Sequence, residues 1–146
     1  KTMKKLLSIL MMLSIVALGA CSDDDNDNNP VISENVKEFI LSKYPGAVIR
    51  DTDYDRGYIE VEIYHDARIK DVYFTTGDTW IATKWDISTA DLPAAVTTTL
   101  TENYPDYRIE DADFVVTPER EVYYIELERG NFEKSVNITA DGEIVT

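Results

Sequence analysis

Residues 58–64 read YIEVEIY, and apolar and polar side chains alternate along the whole stretch. Ile59, Val61 and Ile63 fall on one face of an extended chain, whereas the tyrosines and glutamates fall on the other. Residues 70–75, KDVYFT, alternate in the same way after a turn predicted at residues 65–67. This pattern is typical of two antiparallel strands joined by a tight turn, with one face in the core and the other in water.

The chain contains this pattern twice. The IEVE stretch at residues 59–62 recurs as IELE at residues 125–128, and a Tyr-Pro pair at residues 44–45 recurs at residues 104–105. KDVYFTTGD at residues 70–78 likewise corresponds to KSVNITADG at residues 134–142. The offsets differ between the matched segments, which places the length differences in turns, where they cost little. We therefore predict two tandem units, at about residues 31–87 and 88–146.

Each unit opens with a segment of helical periodicity. In the first unit Ser33 is the predicted N-cap, and in the second Asp91 is the predicted N-cap with Pro93 in the first turn. The apolar positions of the two helices are Val36, Phe39, Ile40 and Tyr44, and Val96, Leu100 and Tyr104. The predicted fold class is α+β, a tandem repeat in which each helix packs on an antiparallel β-meander.

The amino-terminal segment resembles a bacterial delivery signal. Residues 1–20 carry a short basic stretch and then an apolar run that is shorter than the roughly 20 residues a membrane span needs. Residues 18–21, LGAC, resemble a lipobox, so Cys21, the only cysteine, is the predicted lipidation site. The alternative is an ordinary secretory signal followed by an unmodified cysteine.

An acidic stretch, SDDDNDNN, occupies residues 22–29, so residues 21–30 form a predicted tether. It resembles the surface-export signal of some Gram-negative lipoproteins. We expect an outer-membrane lipoprotein of the cell envelope, with display outside the cell as a further expectation.

The charge of the chain excludes one class of partner. The net charge is −14, and removal of residues 1–20 would leave 11 basic and 28 acidic residues. Because a phosphate backbone is bound by clustered Lys and Arg, we expect no nucleic-acid partner. Anionic lipid would also repel this chain, so membrane contact is expected through the lipid anchor only.

These residues resemble the PepSY-like, or β-lactamase-inhibitor-like, domain of envelope lipoproteins in Gram-negative bacteria. The resemblance covers about residues 31–146. It rests on the Tyr-Pro helix ends, the Leu92-Pro93 helix start, and the strands that lead into Gly-Asp and Asp-Gly. The second unit departs from it after residue 142, where the final strand is expected to be short. The resemblance implies a secreted or lipid-anchored protein that is not an enzyme, and it carries over no inhibitory residues.

Catalytic constellations are weak in this sequence. A Ser/His/Asp triad would have to use His65, the only histidine, and an exposed turn histidine is the simpler interpretation. A carboxylate pair of the glycosidase kind stays open, because the sequence selects no pair. We predict a protein that is not an enzyme, and a small hydrolase is the third hypothesis.

A calcium site is the alternative that the acidic residues raise. Asp51, Asp53, Asp55 and Glu62 have the alternate spacing and closing glutamate of an EF-hand loop. The glycine comes one position late, no helix follows, and an acidic strand face explains the same spacing. We expect no cofactor, with calcium as the alternative.

The predicted site is the open face of the first meander, with Trp80 or Trp85 beside it. Tyrosine and tryptophan are favoured at interfaces because they present a large area at a small entropic cost. We predict a non-catalytic binding module that holds an envelope or extracellular protein or peptide. The alternative is a calcium-binding or structural acidic surface lipoprotein. The predicted partner-binding residues are Tyr58, Glu60, Glu62, Tyr64, Asp71 and Tyr73.

Overall fold

The computed structural model describes residues 31–145. The predicted signal peptide, Cys21 and the acidic tether lie outside the described residues. Residues 31–145 form one eight-stranded antiparallel sheet whose strands follow each other in chain order. Neither α-helix of this part of the chain is long and apolar enough to cross a membrane.

A helix and four strands are followed by a second helix and four more strands. The first group is α1 (Glu34–Lys43), β1 (Val48–Asp55), β2 (Tyr58–His65), β3 (Arg68–Thr75) and β4 (Trp80–Asp86). A 3-10 turn (Thr89–Asp91) then leads into α2 (Ala94–Asn103), β5 (Arg108–Val116), β6 (Glu121–Arg129), β7 (Phe132–Ile138) and β8 (Ile144–Val145). Strand β4 pairs with β5, so the two predicted meanders form one continuous sheet.

The start of α1 agrees with its prediction, whereas the start of α2 does not. The Ser33 hydroxyl accepts the Val36 amide at 3.2 Å, as an N-cap does. Asp91 instead ends the 3-10 turn, and α2 begins after Pro93, which makes no side-chain cap. The reason is steric, because a residue before proline is forced to be extended, and Leu92 has φ −63° and ψ 137°.

Both helices pack on the same face of the sheet. Val72, Thr83 and Val116 are successive register partners on β3, β4 and β5, which fixes the face that they share. Under α1 the core contains Val36, Ile40, Val61, Ile63, Val72 and Phe74, and under α2 it contains Val96, Leu100, Ala112, Ile125, Leu127 and Ile138. Each large apolar side chain buried there contributes about 1.5–3 kcal/mol.

The opposite face, called here the open face, is buried at its centre as well. Its buried residues come from the middle strands and include Tyr73, Ala82, Val115, Val122 and Tyr124. No helix of the described chain covers them, because both helices lie on the other side. We infer that the twisted sheet curves so that the open face lies on the inside and its central side chains cover one another.

The last turn of each half is tied to the helix of that half. The Ser33 hydroxyl, at the start of α1, donates to Asp78 at 2.7 Å, and the Thr99 hydroxyl in α2 donates to the Gly142 carbonyl at 2.7 Å. Gly142 has φ +92°, and a Cβ built on it would lie 2.9 Å from the Ala95 carbonyl oxygen. Only glycine therefore fits this close approach of the turn to α2.

Candidate binding face

The register of β2 and β3 brings the six predicted partner-binding residues onto the open face. Glu60 pairs with Tyr73, and Glu62 pairs with Asp71. Tyr58 and Tyr64 lie at the two ends of β2 on the same face, because side chains two residues apart point the same way. Local alternation was sufficient to predict this grouping.

The aromatic residues of the region are less exposed than an open face implies. Tyr64 is 43% exposed and Tyr58 is half-buried, but Tyr73 is only 5% exposed because it packs against Ile81 and Ala82. Tyr73 is therefore a core residue of the open face, although the alternation predicts it on a face in water.

The two tryptophans do not flank the open face, contrary to the sequence prediction. Trp80 is the register partner of Phe74, whose side chain points towards α1, so Trp80 points there too. Its ring lies 5.5 Å from that of Phe39. Trp85 shares the helix-covered face of β4, and its ring lies 5.0 Å from Phe114. A register irregularity between Tyr73 and Phe74 sets this arrangement.

Charged side chains are buried at the centre of the open face, although no sequence pattern predicts their burial there. Lys84 is 3% exposed and Asp113 is 1% exposed. The Lys84 Nζ lies 3.9 Å from Asp71 Oδ2. We call Glu60, Asp71, Tyr73, Lys84 and Asp113 the central cluster. The nearest sequence signal is that Asp113 follows Asp53 by the same interval that separates the two Tyr-Pro pairs, which marks the position but not its burial.

Burial and neighbouring charges shift the pKa of two members of the central cluster. Burial, followed by repulsion from Asp71 and Asp53, raises the pKa of Glu60 to about 7, although Lys84 acts in the opposite direction. Burial and the negative charges of Asp71 and Glu60 also raise the pKa of Tyr73. The Tyr73 hydroxyl is buried and makes no hydrogen bond of good geometry, although it lies close enough to Glu60 to influence its pKa.

Carboxylates face one another across the first three strands. Asp53 pairs with Glu60, and Glu62 pairs with Asp51 on one side and with Asp71 on the other. Like charges at directly paired positions are destabilising. Two cations offset part of this charge, since Arg50 Nε lies 3.9 Å from Glu62 and Lys84 lies 3.9 Å from Asp71. An acidic row therefore crosses this end of the open face.

The residues of the calcium hypothesis lie on a hairpin and not in an EF-hand loop. Asp51, Asp53 and Asp55 belong to β1, and Glu62 belongs to β2. The Asp51 carboxylate accepts the Thr52 amide at 2.8 Å, and the Asp53 carboxylate accepts the Tyr54 amide at 2.7 Å. Among the described side chains of residues 31–145, which do not include that of Asp55, no three His, Cys, Asp or Glu side chains are grouped so that they could hold a metal ion.

His65 is the last residue of β2 and is not the exposed turn histidine that the sequence indicated. Its side chain is 13% exposed and lies edge-on to the Tyr44 ring, with 5.4 Å between the centroids. Its Nδ1 lies 3.0 Å from Lys70 Nζ and 3.2 Å from Asp66 Oδ2. The contacts of His65 are thus with a lysine and an aspartate beside it, on the helix-covered side.

Comparison with solved structures identifies the architecture. A BLIP-like protein of Bacteroides fragilis superposes with a TM-score of 0.73 at 22% identity, over 85% of this chain and 89% of that one. The chain has the BLIP-like fold. A DUF2874 family protein of Bacteroides uniformis has the same fold, with a TM-score of 0.68 at 18% identity over 79% of this chain and 87% of that one.

A DUF2874 family protein of Bacteroides ovatus agrees, with a TM-score of 0.68 at 21% identity over 83% of this chain and 87% of that one. No family model matches the sequence of this chain. No curated protein matches it either. The β-lactamase-inhibitor-like fold that the resemblance implied is thus confirmed by structure and not by sequence similarity, whereas the tandem repeat stays a prediction.

Proposed function

We propose that this chain is a non-catalytic binding module of the bacterial envelope, anchored through a lipid on Cys21, which holds a protein or peptide on the open face. The observation that carries the proposal is the central cluster. Charged groups there are buried on a sheet face that no helix of the described chain covers. Burial of charged groups costs free energy unless they are paired, so a fold gains little stability from this arrangement.

The surroundings of the central cluster support a macromolecular partner. Tyr58 and Tyr64 stand at the two ends of β2, partly exposed, on the same face as the cluster. Aromatic side chains around a desolvated polar centre are typical of residues that dominate protein interfaces. A basic partner surface would complement the acidic row and speed association.

The fold and its relatives support an envelope location. The solved structures that share the fold include a Bacteroides eggerthii protein provisionally described as periplasmic, with a TM-score of 0.65. The amino-terminal signal and Cys21 of this chain fit delivery to the same compartment. We also propose that the chain arose as a tandem repeat, because helix and strand order is the same in both halves.

Affinity capture with matched variants tests the binding face. The purified protein is immobilised and exposed to an envelope extract of the bacterium that produces it, beside a Tyr58→Ala/Tyr64→Ala variant. Tyr54→Ala is the matched control, because Tyr54 is 53% exposed but pairs with Ile59 on the helix-covered face. Tyr73 is left intact because it is buried.

The proposal predicts a protein that is retained by the wild type and by Tyr54→Ala and is lost with the double variant. Equal retention by the wild type and both variants would show that the binding surface lies elsewhere. Failure to retain any specific protein would leave the binding module without support. The third hypothesis, a small hydrolase, is tested by a screen with ester, glycoside and peptide substrates, in which we expect no turnover.

A calcium-binding or structural role is the second candidate, and the acidic row is the observation that favours it. Calcium binds carboxylate oxygens and would relieve the repulsion between paired acidic residues. In this case millimolar calcium would raise the melting temperature, and Asp53→Ala would abolish the rise. An unchanged melting temperature would exclude this candidate.

A further inference from the structure

The pair formed by Asp53 and Glu60 differs from the rest of the acidic row. Asp53 on β1 lies directly opposite Glu60 on β2. Arg50 offsets Glu62, and Lys84 offsets Asp71, each at 3.9 Å. Among residues 31–145, no lysine or arginine forms an ion pair with Asp53 or Glu60. The two residues are therefore register partners without a cation at contact distance, and one Asp53 oxygen accepts the Tyr54 amide at 2.7 Å.

We infer that the open face binds a cationic side chain, lysine or arginine, presented by a protein or peptide and seated between the carboxylates of Asp53 and Glu60. This inference rests on the proposed function, because it specifies the chemistry that the binding module recognises. Complementary charge is the reason, since a cation at this position would remove the repulsion across the strand pair.

A buried hydroxyl beside Glu60 is the second, independent observation. Tyr73 pairs with Glu60 across β2 and β3, is 5% exposed, and its hydroxyl has no hydrogen-bond partner of good geometry. A buried hydroxyl without a partner is destabilising, because it has given up its hydrogen bonds to water. An ionised Glu60 carboxylate would be a strong acceptor for this hydroxyl, and a cation beside Glu60 favours the ionised form. Binding would thus satisfy both groups.

The tyrosines explain why a side chain fits better than a free metal ion. Tyr58 and Tyr64 lie on the same face of β2 as Glu60, where their rings can cover the aliphatic stem of a lysine or arginine. Among the described side chains, with that of Asp55 left aside, no three potential ligands converge as a metal would require. A long side chain with an apolar stem and a charged tip matches both parts of the site.

The charged groups around Glu60 make recognition depend on pH. Asp53 faces Glu60 from β1, Asp71 and Tyr73 face it from β3, and Lys84 faces it from β4, while Glu62 is its neighbour on β2. With a pKa of about 7, Glu60 is mostly neutral in mildly acidic solution. A cation binds the ionised form, so affinity should increase as the pH rises through 7.

Peptide selection followed by calorimetry tests the inference. A phage-displayed library of random linear peptides is selected on the immobilised protein. Peptides that bind the wild type but not the Tyr58→Ala/Tyr64→Ala variant are kept. The Kd of one such peptide is then compared with that of its analogue, in which norleucine replaces each lysine in turn. We expect lysine or arginine in the selected peptides and roughly a tenfold loss of affinity on replacement of one of them.

A double-mutant cycle locates the cation. Glu60→Gln should lower the affinity for the lysine peptide by roughly tenfold and should leave the affinity for the norleucine analogue unchanged. Glu126→Gln is the matched control, because Glu126 pairs with Asp111 at the far end of the open face. Between about pH 8 and about pH 6 the lysine peptide should lose affinity, and the norleucine analogue should not.

The outcomes separate the inference from the proposed function. Selected peptides that need both tyrosines but bind equally well as norleucine analogues would overturn the inference and leave the binding module intact. A library that yields no peptide dependent on the tyrosines would overturn both. Displacement of the peptide by millimolar calcium, abolished by Glu60→Gln, would overturn the inference in favour of a metal site.

Discussion

The Lys84 Nζ lies 3.9 Å from Asp71 Oδ2 on a sheet face that is opposite both helices, and the lysine side chain is 3% exposed. A buried ammonium requires a counter-charge, because its removal from water is costly. Lys84 and Asp71 are register partners on β4 and β3, so the pairing is part of the sheet itself.

Removal of one member of this pair should be strongly destabilising. We expect Lys84→Ala to lower the free energy of unfolding by about 3 kcal/mol, because Asp71 loses the positive charge of Lys84 and the lysine stem leaves a cavity. Urea titration measures the change. Lys84→Met in combination with Asp71→Asn should recover much of the loss, and a Lys84→Ala variant as stable as the wild type would contradict the pairing.

Glu60 should make stability depend on pH. Its pKa is raised from 4.5 to about 7 in the folded protein, so the folded state binds the proton more tightly than the unfolded state does. The resulting stabilisation is fully present below the unfolded pKa and is lost as the pH rises to 7. At about pH 8, the free energy of unfolding of Glu60→Gln should therefore exceed that of the wild type by roughly 1–3 kcal/mol.

Thermal unfolding between about pH 4 and about pH 8 measures this effect. The difference between Glu60→Gln and the wild type should shrink towards acidic pH. Glu62→Gln is the control on the same strand and face, where Arg50 lies near the carboxylate. An equal pH dependence in wild type and Glu60→Gln would show that Glu60 does not hold the proton.

Two aspartates protect the edge of the sheet. Strand β1 is an edge strand, and the two-residue turn at Arg56 and Gly57 makes Asp55 and Tyr58 a hydrogen-bonded pair. Pairs alternate along the ladder, so the amides of Thr52 and Tyr54 point away from β2. Asp51 and Asp53 accept these amides.

Loss of both aspartates should expose the edge to other chains. We expect Asp51→Ala/Asp53→Ala to associate with itself in a concentration-dependent way, because its outward amides lack these acceptors. Sedimentation velocity measures the association. Asp111→Ala is the control, since Asp111 accepts the Ala112 amide at 3.0 Å on the interior strand β5. A double variant that stays monomeric would show that the caps do not protect the edge.

The turn before β8 should tolerate only glycine. A Cβ on Gly142 would lie 2.8 Å from Thr99 Oγ1 and 2.9 Å from the Ala95 carbonyl oxygen, at a φ of +92°. We expect Gly142→Ala to cost roughly 2–4 kcal/mol of stability. Gly130→Ala separates strain from crowding, because Gly130 has φ +61° with nothing within 4 Å, and should cost about 1 kcal/mol. Equal losses in chemical denaturation would contradict the crowding at α2.

Cys21 should determine how the protein partitions with membranes. Without the thiol no acyl chain can be attached, and each buried methylene of such a chain contributes about 0.8 kcal/mol to membrane binding. We expect Cys21→Ser to move the protein from the membrane fraction to the soluble fraction of cells, whereas Ser22→Ala should not. A serine variant that remains with membranes would refute the lipid anchor.

Local sequence patterns were sufficient to predict the strands, the sheet face on which their residues lie and the spacing of apolar residues in the helices. Alternation along residues 58–64 placed Glu60 and Tyr64 on one face, and the register agrees. The helix N-cap at Ser33 was equally local. The prediction of Asp91 as an N-cap was wrong because Pro93 holds Leu92 in an extended conformation, so the helix cannot begin directly after Asp91.

The remaining features depend on contacts between distant strands. A single continuous sheet requires β4 to pair with β5 across a 3-10 turn and a helix, which no local pattern encodes. The burial of Lys84 and Tyr73 follows from that pairing and from the curvature of the sheet. Sequence reasoning therefore found Glu60, Asp71 and Tyr73 of the central cluster but not the burial of Tyr73, and it missed Lys84 and Asp113.

The pairing of β4 with β5 has a mechanical consequence. Four residue pairs join these strands, between Thr83–Asp86 and Val116–Asp113, whereas eight pairs join β5 and β6. Each half has its own helix and its own apolar core, but the buried cluster of the open face, with Tyr73 on β3 and Tyr124 on β6, crosses this seam. Torsion at the seam would therefore leave the two helix-side cores intact and change the packing of the open face. The open face spans the seam, so the angle between the two halves of the sheet sets the width of partner that the open face can accommodate.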